Sequence, residues 1–124
     1  MILIDTSIWI DYFHKHDANV QRLLMAEAVV MHDMVIGEIA LGSLKDRRSN
    51  LEFLRELPQV ISASHAEVMA MVEWQKLSSS GIGYVDAHLL GTVYAADPEM
   101  ELLLWTRDKK LAEQARRLGI EAEL

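Results

Sequence analysis

The chain has 124 residues, 51% of them hydrophobic, a length that fits one domain over 1–124 with its own core and leaves no room for a second. Its 12 Lys and Arg against 19 Asp and Glu give a formal net charge of −7, which argues against a broad electropositive nucleic-acid surface while permitting a local basic patch. No apolar run is long enough to cross a bilayer and the start lacks the charged region and cleavage site of a signal peptide, so a cytoplasmic protein with no membrane partner is expected.

The opening Met1-Ile2-Leu3-Ile4 is apolar on consecutive positions and predicts a strand buried on both faces, as in a parallel sheet covered by helices. It runs into Asp5, Thr6 and Ser7, where the carboxyl end of a strand meets the expected ligand crevice of an open α/β sheet. The same three residues read equally well as caps for a helix over Ile8–Phe13. A helix over 18–27 and a short strand at 28–31 follow. Met34 to Leu44 predicts a helix in which Glu38 stands among Met34, Val35 and Leu41, where a carboxylate needs a partner, a cation or access to water. Gly42 reads as a point of close approach or as a helix C-cap.

A short helix over 50–57 is broken by Pro58, and 59–61 predicts a strand. Ser64 and Glu67 have capping-box spacing ahead of a helix to Leu77. The Ser- and Gly-rich stretch 78–83 is a loop that leads to a helix over 85–96, whose first turn holds Asp86 at the head of the row Leu89, Leu90 and Val93. There the helix macrodipole favours the ionised carboxylate, whether as ligand or as cap. Leu102–Thr106 predicts a second buried strand running into Asp108, as the first runs into Asp5. A helix over 109–118 closes at Gly119, and 120–122 is a weak terminal strand.

Asp5 and Asp108 thus fall on one edge of a parallel sheet, with Glu38 and Asp86 offered by helices. Carboxylates that converge without a cation raise one another's pKa, and a divalent ion resolves the conflict. Cysteine is absent and the histidines are scattered, so oxygen ligation of Mg²⁺ or Mn²⁺ fits best. Basic residues cluster at Lys45, Arg47 and Arg48, at Arg107, Lys109 and Lys110, and at Arg116 and Arg117; each cluster also reads as a solvated helix face or a favourable C-terminal charge.

Four segments, in this order and spacing, carry a resemblance: Ile2-Leu-Ile-Asp-Thr-Ser7, Glu38-Ile-Ala-Leu-Gly42, Gly83-Tyr-Val-Asp-Ala-His-Leu-Leu90 and Trp105-Thr-Arg-Asp-Lys-Lys-Leu111. Over nearly the whole chain the sequence resembles a PIN-domain ribonuclease, most closely the VapC-type toxins of bacterial toxin–antitoxin pairs. The resemblance implies a three-layer α/β/α sandwich with a central parallel sheet. It implies an endoribonuclease dependent on Mg²⁺ or Mn²⁺, a homodimer, a VapB-type antitoxin partner, and an RNA substrate such as tRNA or another structured RNA. It assigns Asp5, Glu38 and Asp86 as metal ligands, Asp108 to a second ion or to action through water, and Thr6 and Thr106 to orienting these acids. Hydrolysis would then use a water activated at the metal, with no histidine base, so His14, His16, His32 and His65 have no catalytic role. Lys45, Arg47 and Arg48 are the first candidates for holding RNA phosphates.

Two positions depart from the family pattern. Val35 stands where relatives often carry a hydroxyl residue, and His88 stands where an apolar residue is common; it reads better as a packed histidine than as a substrate contact. Two other readings remain. A receiver-like phosphoacceptor domain with an acidic Mg²⁺ pocket has similar length and layering, but lacks here its adjacent acids after the first strand. A catalytically silent PIN binding module is disfavoured by the complete set of four acids.

Overall fold

The structure, a computed structural model, describes residues 1–124. Strands β1 (Ile2–Ile4), β2 (Val29–Val30) and β3 (Leu103–Trp105) form a parallel sheet in the order β2-β1-β3. Ile2 pairs with Val29 and Leu103, Leu3 with Val30 and Leu104, and Ile4 with Trp105. Single parallel bridges continue the sheet on both sides, from Met31 to Gln59 and from Leu104 to Glu121. The strands expected at 59–61 and 120–122 therefore occupy sheet positions without a regular ladder. Leu3, Ile4, Leu104 and Trp105 are buried in one cluster of 23 core residues.

Seven helices pack on this sheet: α1 (Thr6–Lys15), α2 (Ala18–Met25), α3 (Asp33–Leu41), α4 (Arg47–Glu56), α5 (His65–Trp74), α6 (Tyr84–Tyr94) and α7 (Lys109–Arg117). Contacts group α1 with α3 and α4, and α6 with α5 and α7. Right-handed crossovers place these two groups on opposite faces, because the chain moves from β1 to β2 in one direction and from β3 outward in the other. The result is the three-layer parallel α/β fold expected from the buried opening strand. The strand order reverses between β1 and β3, and the crevice at their carboxyl ends is the switch point at which such sheets bind ligands.

Helix boundaries moved from the expected ones for local reasons. Helix α1 begins at Thr6, not Ile8, because Asp5 is the residue ahead of it and accepts from Thr6 N–H. Helix α3 stops at Leu41, short of Leu44. Gly42 caps it in an extended conformation, and a Cβ added there would meet only ordinary contacts, the nearest at 3.6 Å. Gly42 is thus a C-cap and not a point of obligatory close approach. Helix α4 starts at Arg47, not Asn50, because left-handed Asp46 turns the chain and the Ser49 and Asn50 side chains donate to the carbonyls of Asp46 and Lys45.

Helices α5 and α6 run parallel: His65 meets Tyr84 at their N-termini, and Gln75, just past α5, meets Tyr94 at the other end. The loop between them must therefore climb back to the carboxyl edge of the sheet. It does so along α7, tied by Arg117 donating to the Gln75 carbonyl at 2.7 Å and by Lys110 lying across Gly81. Gly81 has φ +87°, so the turn favours glycine; a Cβ there would sit 2.7 Å from Cδ of the flexible Lys110, which would have to move aside.

Helix α3, which carries Glu38, is started by an unusual cap. The buried His32 ring accepts from Met34 N–H at Nδ1 (3.0 Å), so its proton sits on Nε2, which faces the hydroxyls of Thr92 (3.1 Å) and Ser62 (3.2 Å). Thr92 Oγ1 also accepts from Ala63 N–H. One neutral imidazole therefore joins the end of β2 to α6 and to the segment ahead of α5. Replacing His32 by Ala removes the cap, empties buried volume and takes one hydrogen-bond partner from each of the Thr92 and Ser62 hydroxyls. Urea denaturation should show a loss of roughly 2–4 kcal/mol; a loss below ~1 kcal/mol would mean that the network is not a structural joint.

Candidate active site at the carboxyl edge of the sheet

Because the strands are parallel, every helix that follows one starts at the same edge. Asp5 precedes α1, His32 precedes α3, Ser64 precedes α5 and Asp108 precedes α7, each accepting a backbone N–H of its helix with its side chain. Helix α6 starts there too, led by Gly83 without a side-chain cap. The positive ends of these helix dipoles are the fixed field in which the acids sit.

Asp5 is buried. Its Oδ1 accepts from Thr6 N–H and its Oδ2 from the Thr106 hydroxyl, both at 2.7 Å. Thr106 Oγ1 in turn accepts from Asp108 N–H at 3.0 Å, and Asp108 Oδ1 accepts from Leu111 N–H at 3.0 Å. Across the crevice, the Thr6 hydroxyl donates to Glu38 Oε1 at 2.6 Å. A continuous path of hydrogen bonds thus runs from Glu38 through Thr6, Asp5 and Thr106 to Asp108. For Asp5 and Asp108 the capping role and the site position are not alternatives; both residues do both. Val35 is buried in the core and offers nothing to this path.

Glu38 takes the route to water that its sequence left open. It is exposed, and so is Leu41, which shows 91% of its surface; the buried positions of α3 are Val35 and Ile39. Of its apolar neighbours Val35 is buried and Leu41 is in water, so Glu38 lies at the edge of the buried stripe, with the Thr6 hydroxyl as its donor.

Asp86 stands in the first turn of α6 with no side-chain donor. Its pKa is raised from 3.8 to about 6, first by burial, then by the charges of Asp5 and Asp108, and last by Glu38, against a lowering contribution from the Gly83 backbone. The macrodipole alone would have pushed it down, so burial and crowding win. Asp5 is also raised, mainly by burial, with Thr106 and Thr6 pulling it back and Glu38 and Asp108 pushing it further up. The four carboxylates share one field, yet no three stand close enough to hold an ion as a finished cage. An all-oxygen, mutually repelling set of this kind fits a hard ion that keeps several waters and takes few protein ligands.

The basic clusters separate. Arg107 is committed to structure: it pairs with Asp11 and Asp17 and lies over the Trp105 ring, and it holds the Asp17 carboxyl below its usual range. Arg116 pairs with Glu121. Lys45, Arg47 and Arg48 are exposed and form no ion pair, and the two arginines lie in the first turn of α4, where the dipole disfavours them. The reading as a favourable C-terminal charge therefore fails for them. His88 is buried, edge-on to His32 and Tyr84, which places it among packed side chains. The sequence reading passed over two structural functions, the His32 cap and the Arg107 tie. Only the second left a trace, in Asp17 ahead of α2.

A parallel sheet with a reversal point, acids at both strand ends across that point and two more on flanking helices define a PIN-type acidic site. Residues 2–117 match the PIN domain family, and the chain belongs to it. It is 40% identical over 120 residues to Ribonuclease VapC32 of Mycobacterium tuberculosis, in each of two strains, covering 97% of this chain and 94% of that protein. Family membership removes the receiver-like reading.

The two largest pKa shifts have opposite signs. The folded His32 pKa of about 4 lies below the free 6.5, mainly through burial, so between those values the unfolded chain binds more protons. Stability from His32 is therefore lost as pH falls from 6.5 to 4, by up to about 3 kcal/mol. Asp86 binds more protons when folded, between 3.8 and about 6, so its contribution is lost as pH rises through that window. The two nearly oppose one another in the metal-free protein. Asp86→Asn should melt higher than wild type at pH 7 in chelator, with the difference shrinking toward pH 4. It should also lose stability more steeply on acidification. A difference that stays constant across this range would sink the charge-crowding account.

Proposed function

We propose that this protein is a divalent-metal-dependent endoribonuclease, the toxin of a toxin–antitoxin pair, restrained by a VapB-type antitoxin. The observation that carries the reading is the set of four carboxylates at the switch point of a PIN fold, where burial and neighbouring acids raise Asp5 and Asp86. Asp5, Glu38, Asp86 and Asp108 would hold the ion, Mg²⁺ or Mn²⁺. When bound, the ion supplies positive charge that keeps these acids ionised, activates water at neutral pH and balances charge developing on the scissile phosphate.

The chain's own groups prepare that chemistry. Thr106 fixes Asp5 and, through the Asp108 N–H, the turn that presents Asp108. Thr6 holds Glu38, an exposed side chain that would otherwise sample many rotamers. The helix N-termini lower the cost of bringing an RNA phosphate to an acidic edge. The whole of 1–124 acts as one such domain, in the cytoplasm, on tRNA or another structured RNA. A homodimer is supported by the outer face of α5 and α6, where Trp74 is 83% exposed near Tyr94. No helix is long and apolar enough to cross a membrane.

Asp5→Asn keeps an oxygen for Thr6 N–H and removes one charge. It should abolish cleavage of labelled RNA in Mn²⁺ without lowering the melting temperature in chelator, whereas wild type should cleave and gain melting temperature with Mn²⁺. Wild-type protein that cuts no RNA in either metal points to a silent binding module. Retained cleavage in the variant removes Asp5 from the site.

Lys45→Ala, Arg47→Ala and Arg48→Ala combined should weaken RNA binding and flatten the dependence of log affinity on log salt by up to about three phosphate contacts. An unchanged slope makes these residues a solvated face only.

A further inference from the structure

Tyr84 is the first residue of α6, two before Asp86, and His65 is the first residue of α5. Both helices begin at the carboxyl edge of the sheet, so this pair stands on the edge that holds the acids, on the α5–α6 side. The Tyr84 hydroxyl and His65 Nδ1 are 2.7 Å apart, and the rings lie 5.6 Å apart at 46°. Behind Tyr84, the buried His88 meets it edge-on at 5.8 Å and continues edge-on to His32 at 5.2 Å. The Tyr84 ring is thus held at its tip and braced along one edge, yet the residue remains 45% exposed. An exposed hydrogen bond of this kind adds little to folding, and the exposed ring surface adds nothing. What the arrangement achieves is a fixed aromatic surface on the sheet edge that holds the acids.

We infer that Tyr84 and His65 form a stacking platform for an unpaired nucleobase of the RNA, next to the phosphate presented to the four acids. The inference rests on the ribonuclease reading above and adds a base-binding subsite to it. Unpaired RNA bases are bound by stacking on tyrosine and histidine rings, and such stacking is largely independent of sequence and of salt. A chain of net charge −7 with few uncommitted cations near its site has particular need of affinity that does not come from charge. Braced rings supply it at low ordering cost, because Tyr84 does not have to be immobilised on binding.

The test uses the full chain with a short 5′-fluorescein-labelled single-stranded RNA, binding being read by anisotropy in chelator and KM and kcat in Mn²⁺. Tyr84→Ala should weaken binding roughly tenfold and raise KM alike, with kcat little changed. The loss should be the same at low and high salt, unlike that of the Lys45 cluster. Tyr84→Phe, which keeps the ring and loses the bond to His65, should stay within about threefold of wild type; this variant guards against a folding artefact in the alanine protein. A series of RNAs with one abasic nucleotide should contain a position that weakens wild type and has no further effect on Tyr84→Ala. Binding by Tyr84→Ala at wild-type strength, or abasic losses that add fully at every position, overturns the platform while leaving the ribonuclease reading intact. Wild-type protein that neither binds nor cuts the RNA overturns both.

Discussion

The Thr106 hydroxyl is the joint on which the site depends. It donates to Asp5 and accepts from the Asp108 N–H, so one oxygen ties the ends of β1 and β3 where the chain direction across the sheet reverses. A serine could make the same bonds, but the β-branched methyl restricts χ1 and holds the hydroxyl in one place against a buried carboxylate. Without that donor Asp5 would be buried with only the Thr6 N–H for company, and its already raised pKa would rise further. The placement of the Asp5 carboxylate is therefore a property of β3 as much as of β1.

The acids are held against their own repulsion. Folding brings Asp5, Glu38, Asp86 and Asp108 into one field, and the expense appears in Asp86, pushed up to about 6. Part of it is offset by the fold itself, since α1, α3, α5, α6 and α7 all present N-terminal dipoles to this edge. The remainder is left for a cation. Because Asp5 and Asp108 also start helices, charge removal at either position retains a capping oxygen. The site's electrostatics can therefore be altered without dismantling its walls.

Much of this was legible in the sequence because it follows from short-range rules. Ile2-Leu3-Ile4 and Leu102-Leu103-Leu104 announce buried parallel strands, their following acids announce the edge, and Ser64 with Glu67 announces a helix start. What escaped depends on tertiary geometry. Glu38 was expected among apolar neighbours, but which face α3 buries is decided by its packing on α1 and α4, and that face holds Val35 and Ile39. His32 is a poor statistical cap, and its capping follows only once Thr92 and Ser62 are brought to its other nitrogen. Arg107 stood in a basic run that reads as a phosphate patch; its partners Asp11 and Asp17 lie about ninety residues away and are invisible to local pattern.

Placing the basic residues changes how an acidic protein can hold an anionic polymer. Among the clustered basic residues, with Arg107 and Arg116 committed to ion pairs and Arg117 tied to the Gln75 carbonyl, those left uncommitted fall into two places: the turn before α4 with its first residues, and the first turn of α7. Lys110 in the second place lies across Gly81, against the loop that delivers Asp86. The cluster at α4 keeps its charge available, and the two arginines there add to the positive end of their helix instead of cancelling it. A phosphate backbone would therefore be attracted at the α4 side, while the α5–α6 side offers aromatic rings and no arginine. With the exposed cations on one side of the acidic crevice and exposed aromatic rings on the other, the arrangement would suit a strand whose backbone is held on one side while its bases are splayed on the other.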